Sequence, residues 1–391
     1  MSMSTATIPY GHQSISDDDV AAVVAVLRSD FLTQGPVGPR FEAAIAQACG
    51  AAHGVAVNSA TAALHVACLA LDVGPGSLVW TSPNTFLASA NCARYCGAGI
   101  DFVDIDPHSH NLCPQALRTK LEAARAAGRP LPDVVIPVHF AGQPCEMAAI
   151  HALGQEFGFR IIEDASHAIG ARFGDSRIGD CRYSDIVVFS FHPVKIITTA
   201  EGGMALTQDA KLARRMGRLR SHGMTRDPAE MVAPTHGAWY YEQIELGFNY
   251  RMTELQAALG LSQLQRLEPW IERRHRLADT YDRELAALPL QLPQRRADRF
   301  SALHLYVVLV DDGAPLDRAA LFARMREAGV GVNVHYIPVH LQPDYRRLGF
   351  AAGDFPRAEA YYQRAISLPM YAALTDPDQQ RVINLLRAAL T

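Results

Sequence analysis

Short apolar runs alternate with longer amphipathic stretches along the first 250 residues of the chain. The stretches have the spacing of apolar side chains expected of helices, and Ser16 ahead of three aspartates indicates a helix N-cap. The runs are HGVAV (53–57), SLVW (77–80), IDFVDI (100–105), DVVIPVHF (133–140), FRIIED (159–164), DIVVFSF (185–191) and GMALT (203–207). Strands that are apolar at nearly every position are typical of a parallel sheet covered by helices on both faces. The pattern therefore predicts an α/β fold with a mostly parallel central sheet.

The pattern changes after residue 250. A long helix bent near Pro269 is predicted over residues 253–285, followed by two strand-like runs, HLYVVLV (304–310) and GVNVHYIPV (331–339). We therefore expect a large domain over residues 1–260 and a smaller C-terminal α/β domain over residues 261–391, with about the first 15 residues able to pack on the smaller one. In a parallel sheet, ligands bind beyond the carboxyl ends of the strands, so polar residues at those ends are the candidates for a site.

Composition narrows the class of protein. Of the 391 residues, 49% are hydrophobic and 19% are charged, so the chain can bury a large core. The formal net charge of −4 argues against a general binder of nucleic acid or of membrane surfaces. The N-terminal residues do not have the basic and apolar regions of a signal peptide, and no apolar run reaches the roughly 18 residues of a membrane span. A cytoplasmic protein is expected.

The seven cysteines include no CxxC pair. Cys92 and Cys96 are four residues apart and would share one helix face, but no second pair has the spacing of metal ligands. Buried, reduced thiols are therefore expected, and no metal site.

The segment SFHPVKIITTAEGGM, residues 190–204, places a single lysine, Lys195, among apolar residues. Such a lysine either extends its ammonium to the surface or loses its charge through burial and can then form a Schiff base. Asp164, at the end of another apolar run, either caps the next segment or needs a cationic partner. If both residues project from the carboxyl ends of strands, they can meet one ligand. Pyridoxal 5'-phosphate (PLP) fits both, because the lysine forms the imine and the aspartate keeps the pyridine nitrogen protonated.

A phosphate site is predicted at the helix that follows the run HGVAV. The segment NSATAALH (58–65) puts small residues at a helix N-terminus, whose free N–H groups bind anions. Ser59, Thr61 and Ala62 are the candidates, and Ser190 could add a hydroxyl, although an ordinary capped helix explains the same pattern. The chain contains neither GxGxxG nor GxxxxGK[ST], so the fingerprints of dinucleotide and nucleoside triphosphate sites are absent.

Phe86 and His167 complete the candidates. Phe86 either stacks on the cofactor ring or belongs to the core. His167, three residues after Asp164, either bonds the phenolic oxygen of the ring or supports Asp164.

Three motifs, FRIIEDASHAIGA (159–171), SFHPVKIITTAEGGM (190–204) and SHGM (221–224), resemble the sugar aminotransferases of the DegT/DnrJ/EryC1/StrS family. Similar segments cover nearly the whole chain, namely LTQGP (32–36), NSATAALH (58–65), GFNYRMTELQAALGLSQL (247–264), NVHYIPVH (333–340) and AISLPM (365–370). The resemblance implies the aspartate aminotransferase fold, fold type I of the PLP-dependent transferases. The run SFHPVKIITTAEGG together with NVHYIPVH is most similar to the branch that makes UDP-4-amino-4,6-dideoxy-N-acetyl-β-L-altrosamine in pseudaminic acid biosynthesis.

The resemblance also assigns roles to residues. It implies that Lys195 carries PLP as a Schiff base, that Asp164 pairs with the pyridine nitrogen and that His167 lies at the phenolic oxygen. The other cofactor contacts that it implies are Ser59, Thr61, Ala62, Phe86 and Ser190. Asn249 would reach the phosphate of the neighbouring subunit's cofactor, which requires a homodimer with shared active sites. The sugar nucleotide would touch Tyr10, Asp30, Phe31, Leu32, Thr33, Ser59, Asn249, Val334, His335, Tyr336 and Ile337. Relatives with histidine in place of Lys195 carry out deoxygenation, but this chain retains the lysine.

The implied reaction moves an amino group from L-glutamate to C4 of UDP-2-acetamido-2,6-dideoxy-β-L-arabino-hex-4-ulose, a UDP-linked 4-keto-6-deoxy-N-acetylhexosamine. Nucleic acid and membrane are not expected as partners. Two alternatives stay open at this point. One is a family aminotransferase for another nucleotide sugar, such as a GDP-perosamine or dTDP-amino-sugar synthase. The other is a non-catalytic protein that binds PLP or a sugar nucleotide.

Overall fold

The computed structural model describes residues 7–391. Its strands are β1 (His53–Val57), β2 (Leu78–Thr81), β3 (Gly99–Phe102), β4 (Val134–Ile136), β5 (Arg160–Asp164), β6 (Arg172–Phe173), β7 (Ser176–Arg177), β8 (Ile186–Ser190), β9 (Gly203–Thr207), β10 (Met224–Thr225), β11 (Glu242–Gln243), β12 (Leu290–Gln291), β13 (Arg299–Phe300), β14 (Tyr306–Val310) and β15 (Ala365–Leu368). Its α-helices are α1 (Asp17–Leu27), α2 (Val37–Cys49), α3 (Ala60–Ala70), α4 (Ala88–Tyr95), α5 (Pro114–Ala126), α6 (Met147–Phe157), α7 (Ala210–Leu219), α8 (Glu254–Leu264), α9 (Leu267–Leu285), α10 (Arg318–Glu327), α11 (Pro343–Arg346), α12 (Pro356–Arg364) and α13 (Asp376–Leu390).

Seven strands form the main sheet, in the order β1-β9-β8-β5-β4-β2-β3. Strand β9 runs antiparallel to both of its neighbours, whereas the other neighbouring pairs are parallel. Each of the seven apolar runs in the sequence overlaps one of these strands, and five of the runs contain their strand entirely. The predicted mostly parallel sheet is therefore confirmed.

Helices cover both faces of this sheet because the strands are apolar on both sides. In β8, Val188 packs in a cluster with residues of α3, α4 and α7 on one face. Its neighbours Val187 and Phe189 point to the other face, where they pack with residues of α2 and α8. Asp164 and Ser190 lie at the carboxyl ends of β5 and β8, and Ser59 follows the carboxyl end of β1.

A second, antiparallel sheet has the order β12-β14-β15 and shares a buried cluster with α9, α10 and α13. Ile8 belongs to the same cluster and pairs with Val330. The strand predicted in HLYVVLV is confirmed as β14. The prediction of a strand in GVNVHYIPV (331–339) is wrong. Within this segment only Asn333 makes a β-bridge, with Ser367. Side chains satisfy the backbone there instead; the N–H of Tyr336, for example, donates to Asn84 Oδ1 at 3.4 Å.

The long helix predicted over residues 253–285 is two helices. Helix α8 begins with a capping box between Thr253 and Gln256, and α8 and α9 are separated at Gln265 and Arg266. Pro269 lies in the first turn of α9 instead of bending a continuous helix. A proline fits there because the first N–H groups of a helix have no partner within it.

All seven cysteines are buried and none forms a disulfide. Within residues 7–391, no helix has both the length and the apolar character needed to cross a membrane.

Candidate active site

Neighbouring strands bring Asp164 and Ser190 to the same edge of the main sheet. Asp164 ends β5 and Ser190 ends β8, and these parallel strands pair with Asp164 opposite Val188. Lys195 follows in a compact turn in which its N–H donates to the carbonyl of His192 at 2.9 Å. The candidate residues therefore meet at the carboxyl edge, where ligands of α/β sheets bind.

The Lys195 amine lies in a crowded pocket that solvent still reaches, since the side chain is partly buried. Burial lowers the pKa of the amine to about 8, while the charge of Asp164 acts in the opposite direction. Among the described residues, none is a hydrogen-bond or ion-pair partner of the amine. A lysine that merely extended its ammonium into water would show no such lowering. The environment favours a chemical role over a surface one.

Two donors hold the carboxylate of Asp164. The hydroxyl of Ser89 donates to Oδ2 at 2.6 Å, and the N–H of Ser166 donates to Oδ1 at 3.1 Å. The second bond makes Asp164 a local cap of the next turn, as one interpretation of the sequence held. An ionised carboxylate accepts about four hydrogen bonds. Asp164 can therefore cap this turn and still accept a bond from a ligand.

His167 is held as a neutral donor. The N–H of Ala141 donates to its Nδ1 at 3.2 Å, which leaves the ring proton on Nε2, 3.1 Å from the hydroxyl oxygen of Tyr336. Burial, and then the charge of Lys195, lower the pKa of His167 well below its ordinary value. His167 can therefore donate a hydrogen bond from Nε2 to an oxygen in the pocket.

The N-terminus of α3 opens at the same edge. Ser59 is its N-cap, and the hydroxyl of Ser59 accepts from the N–H of Ala62 at 3.1 Å. Thus the Ala62 N–H is engaged in this structure, while those of Ala60 and Thr61 have no hydrogen-bond partner among the described residues. The helix keeps free donors for an anion.

Two glycines, Gly202 and Gly203, follow Lys195 in the sequence, and the structure shows why the second must be glycine. Gly203 begins β9 directly against the N-terminus of α3, and a Cβ at this position would lie 2.6 Å from the backbone nitrogen of Ala60. Since no side chain fits into that space, the close approach of the two segments depends on glycine.

Aromatic and histidine side chains form one wall of the pocket. Phe86 is 59% exposed, and its ring centroid lies 6.2 Å from that of Tyr336. His335 packs against Tyr10, with ring centroids 5.5 Å apart. Burial and the charge of Lys195 lower the pKa of His335 to about 3, so His335 is neutral. Ile337, two residues further, is 47% exposed. Val334 lies beside His335 and is partly buried.

The structure does not join the remaining candidates to this cluster. Leu32 and Thr33 contact the start of α8: the carbonyl of Leu32 accepts from the N–H of Glu254, and Thr33 pairs with Thr253. The whole segment Asp30 to Thr33 is exposed. Asn249 is also exposed and pairs with Ser221. No hydrogen bond or ring contact of the described residues links these side chains to Lys195, Asp164 or His167.

Two polar residues of the site were missed from the sequence. Ser89 bonds Asp164, and its place three residues after Phe86 in TFLAS, on the same helical turn, was a usable signal. His304 is buried and packs against His167, with ring centroids 4.4 Å apart and the ring planes tilted by 43°. No local pattern in the sequence marks His304, which approaches from the segment before β14.

The donor set fits PLP. It offers a lysine amine without a partner, a carboxylate with unused lone pairs and a helix N-terminus with free N–H groups, and these are the groups that an aldehyde, a pyridine nitrogen and a phosphate require. Within residues 7–391, no group of three or more His, Cys, Asp or Glu side chains is arranged to hold a metal ion.

Comparison with known proteins supports the fit to PLP with similarities that cover nearly the whole chain. The sequence profile of the DegT/DnrJ/EryC1/StrS aminotransferase family matches residues 13–387. The spore coat polysaccharide biosynthesis protein SpsC of Bacillus subtilis (strain 168) is 40% identical over 384 residues, which cover 97% of this chain and 96% of SpsC.

Solved structures agree with the sequence matches. Helicobacter pylori PseC, an aminotransferase involved in the biosynthesis of pseudoaminic acid, superposes with a TM-score of 0.89 at 28% identity, covering 98% of this chain and 99% of PseC. The PLP form of Spr1654 from Streptococcus pneumoniae superposes with a TM-score of 0.87 at 28% identity, covering 98% and 100%. The expected fold type, enzyme class and cofactor are confirmed. The chain belongs to the DegT/DnrJ/EryC1/StrS aminotransferase family and is a PLP-dependent sugar aminotransferase.

Proposed function

We propose that the enzyme, acting in the cytoplasm, transfers the amino group of L-glutamate to C4 of a UDP-linked 4-keto-6-deoxy-N-acetylhexosamine. The product would be UDP-4-amino-4,6-dideoxy-N-acetyl-β-L-altrosamine, an intermediate of pseudaminic acid. The observation that carries the chemistry is Lys195, an unpaired amine of lowered pKa beside Asp164. The sugar is supported by two segments similar to the pseudaminic acid branch and by the structural likeness to PseC.

Lys195 has two tasks in this proposal. PLP, when bound, withdraws electrons from the α-carbon of the donor, so that this carbon can lose a proton. Lys195 would hold the cofactor and would also take the proton from the α-carbon of the donor as a general base. With a pKa of about 8, about a tenth of the amine is neutral at pH 7, and only the neutral form can act as a base. Asp164 keeps its charge to hold the protonated ring nitrogen.

The surrounding residues fix the orientation of the cofactor. His167, whose Nε2 lies near the Tyr336 hydroxyl in this structure, would donate to the phenolic oxygen, and Phe86, beside Tyr336, would pack on the face of the ring. The free N–H groups at the start of α3 bind the phosphate, helped by Ser190, because the positive end of the helix dipole favours an anion.

The sugar nucleotide would lie against the wall formed by Tyr10, His335, Tyr336 and Ile337. We propose a homodimer that completes this surface, with Asn249 reaching the cofactor phosphate bound to the other subunit. Several exposed apolar side chains support an interface with another subunit, namely Phe31 (52% exposed), Leu32 (50%), Trp239 (74%) and Leu246 (79%).

A second candidate is the same reaction on another nucleotide sugar. It is favoured by SpsC, a polysaccharide biosynthesis protein, whose 40% identity exceeds the 28% of PseC. UDP-, GDP- and dTDP-linked 4-keto-6-deoxy sugars, offered in parallel with L-glutamate, separate the two. The proposal expects kcat/KM for the UDP-linked N-acetyl sugar to exceed the others by about tenfold or more. A preference for a GDP or dTDP substrate overturns the sugar assignment.

The absorption spectrum tests the chemistry without any sugar. The purified protein should show a visible band of lysine-bound PLP, and L-glutamate alone should bleach that band as nitrogen moves to the cofactor. A protein that binds PLP but shows no bleaching with L-glutamate would be the non-catalytic binder, or would use another donor. Adding L-glutamine and L-alanine separates those two cases.

A further inference from the structure

Two buried hydroxyls form a chain that ends on Asp164. The hydroxyls of Thr85 and Ser89 are 2.7 Å apart, and that of Ser89 lies 2.6 Å from Asp164 Oδ2. Ser89 is 0% exposed and Thr85 is 2% exposed. Neither residue has a role in the function proposed above.

The carboxylate of Asp164, at the end of this chain, sets the direction of its hydrogen bonds. An ionised carboxylate can only accept hydrogen bonds, so the single proton of the Ser89 hydroxyl goes to Asp164. Ser89 must then accept from Thr85, whose own proton is used in that bond. Each hydroxyl therefore has one orientation, and the chain delivers one fixed donor to Oδ2.

The same helical turn presents the ring that faces the cofactor pocket. The N–H of Ser89 donates to the carbonyl of Phe86 at 3.3 Å, so the two residues lie on one turn at the start of α4. Phe86 points outward and Ser89 inward. A shift of this turn would therefore move Phe86, which is proposed to pack on the cofactor ring, together with Ser89, which donates to the carboxylate of Asp164.

On the opposite side, Asp164 Oδ1 accepts from the N–H of Ser166, a backbone group that cannot rotate. The two carboxylate oxygens are therefore each held by one donor, from opposite sides, which fixes the plane of the carboxylate. A charged hydrogen bond buried from water is among the stronger ones in proteins.

We propose that Ser89, oriented by Thr85, is a positioning residue that holds the carboxylate of Asp164 in the plane required by the pyridine nitrogen of PLP. This inference rests on the role proposed for Asp164. Ser89 touches neither cofactor nor substrate in this scheme and acts through Asp164 alone.

The test compares S89A with T81V. Thr81 offers a matched control, since it is 0% exposed and its hydroxyl donates to the carbonyl of Ile136 at 2.7 Å, away from Asp164. PLP is titrated into each apo-protein and its dissociation constant is read from protein fluorescence, alongside kcat and KM for L-glutamate. A hydrogen bond to a charged group corresponds to about tenfold to a hundredfold in an equilibrium constant, which is the expected rise of the dissociation constant in S89A. T81V should leave the dissociation constant of PLP unchanged.

S89A should also lower kcat more than it raises KM for L-glutamate, because the charge on the ring nitrogen matters most in the transition state. T85V should shift the dissociation constant in the same direction by a smaller factor, and it tests the chain even if S89A folds poorly. If S89A and T81V bind PLP equally well, the inference is wrong.

The D164A background separates this inference from the proposed function. If Ser89 acts through Asp164, S89A should have no further effect on PLP binding in D164A. An equal effect in both backgrounds would mean that Ser89 acts independently, which overturns the inference and leaves the role of Asp164 intact. If D164A itself binds PLP as tightly as the wild type, the role of Asp164 fails, and the inference with it.

Discussion

The two sides of the candidate site differ in how complete they are. The closed side consists of Lys195, Asp164, Ser89 and His167, which are buried or partly buried at the carboxyl edge of the main sheet. The open side, as proposed, consists of Phe31, Leu32, Phe86, Asn249 and Ile337, all of them exposed. On the closed side Asp164, Ser89 and His167 have polar partners, and only the Lys195 amine has none among the described residues.

This difference follows from the cost of burial. A buried polar group without a partner is expensive, so a chain that buries Asp164 and His167 must also supply their partners. Lys195 avoids that cost by giving up part of its charge, as its lowered pKa indicates. Exposed apolar groups cost less individually, and a ligand or a second subunit can cover them later. One chain can therefore fix the chemistry of the site and leave recognition to be completed on binding.

The largest expected effect tests the closed side. Lys195→Arg keeps the charge but cannot form an imine, so amino transfer should fall by about a thousandfold or more while the fold is retained. Turnover with L-glutamate and the visible spectrum measure the loss, and circular dichroism checks the fold. Lys211→Arg, on the start of α7, serves as the matched control. Turnover of Lys195→Arg near the wild-type rate would place the nucleophile elsewhere.

The second prediction concerns pH. Only the neutral amine captures PLP, so the capture rate of the apo-protein should rise about tenfold per pH unit and level off above about pH 8. Asp164 raises the pKa of Lys195, so Asp164→Asn should move the plateau to lower pH. Stopped-flow absorbance gives the rates. A plateau reached only near pH 10 would show that burial does not perturb the amine.

The two sides of the site differ in how much of them could be predicted from the sequence. Asp164 and Lys195 could be predicted because each follows an apolar run, and parallel strands bring their carboxyl ends together. The contact between Ser89 and Asp164 spans 75 residues, and that between Tyr336 and His167 spans 169. The spacing in TFLAS could have marked Ser89 as a neighbour of Phe86, but its contact with Asp164 depends on how α4 packs, and that of Tyr336 with His167 on how the segment before α11 packs.

The fold shows the same limit. All seven runs of the main sheet were found because a buried strand is apolar at successive positions. The segment GVNVHYIPV has the same apolar character but is irregular, since side chains such as Asn84 and Asn333 bond its backbone in place of a strand. Pro269 was placed within one bent helix because its position in a first turn cannot be recognised before the helix boundary is known.

The third prediction tests whether Asn249, on the proposed open side, acts on the cofactor of its own subunit or on that of the partner. Asn249→Ala should weaken PLP binding by about tenfold, as expected for one lost hydrogen bond to a phosphate. If Asn249 acts on the partner's cofactor, a mixed dimer of N249A and K195R subunits contains one site with both wild-type groups. At a PLP concentration too low to fill the sites of N249A, each mixed dimer should therefore have about half the activity of a wild-type dimer, and an equal random mixture, in which half of the dimers are mixed, about a quarter.

The control for that experiment is the mixture of wild-type and K195R subunits, prepared identically. Restoration fails if Asn249 acts within its own chain, because no mixed dimer then has an intact site. The mass of the intact dimer distinguishes this outcome from a failure of the subunits to exchange, since an exchanged mixture contains dimers of a mass between those of the two parent dimers.

The smallest effect is expected at Ile337, on the sugar wall. Ile337 is 47% exposed, so covering the rest of its side chain contributes about 1 kcal/mol, and Ile337→Ala should raise KM for the sugar nucleotide about fivefold. Leu348→Ala is matched in exposure, 51% against 47%, but lies after α11 and outside the proposed sugar wall. The bleaching of bound PLP by L-glutamate should be the same in both variants, because no sugar takes part in it. An Ile337 variant that slows this half-reaction would mean that the open side also shapes the chemistry, and the division between the two sides would not hold.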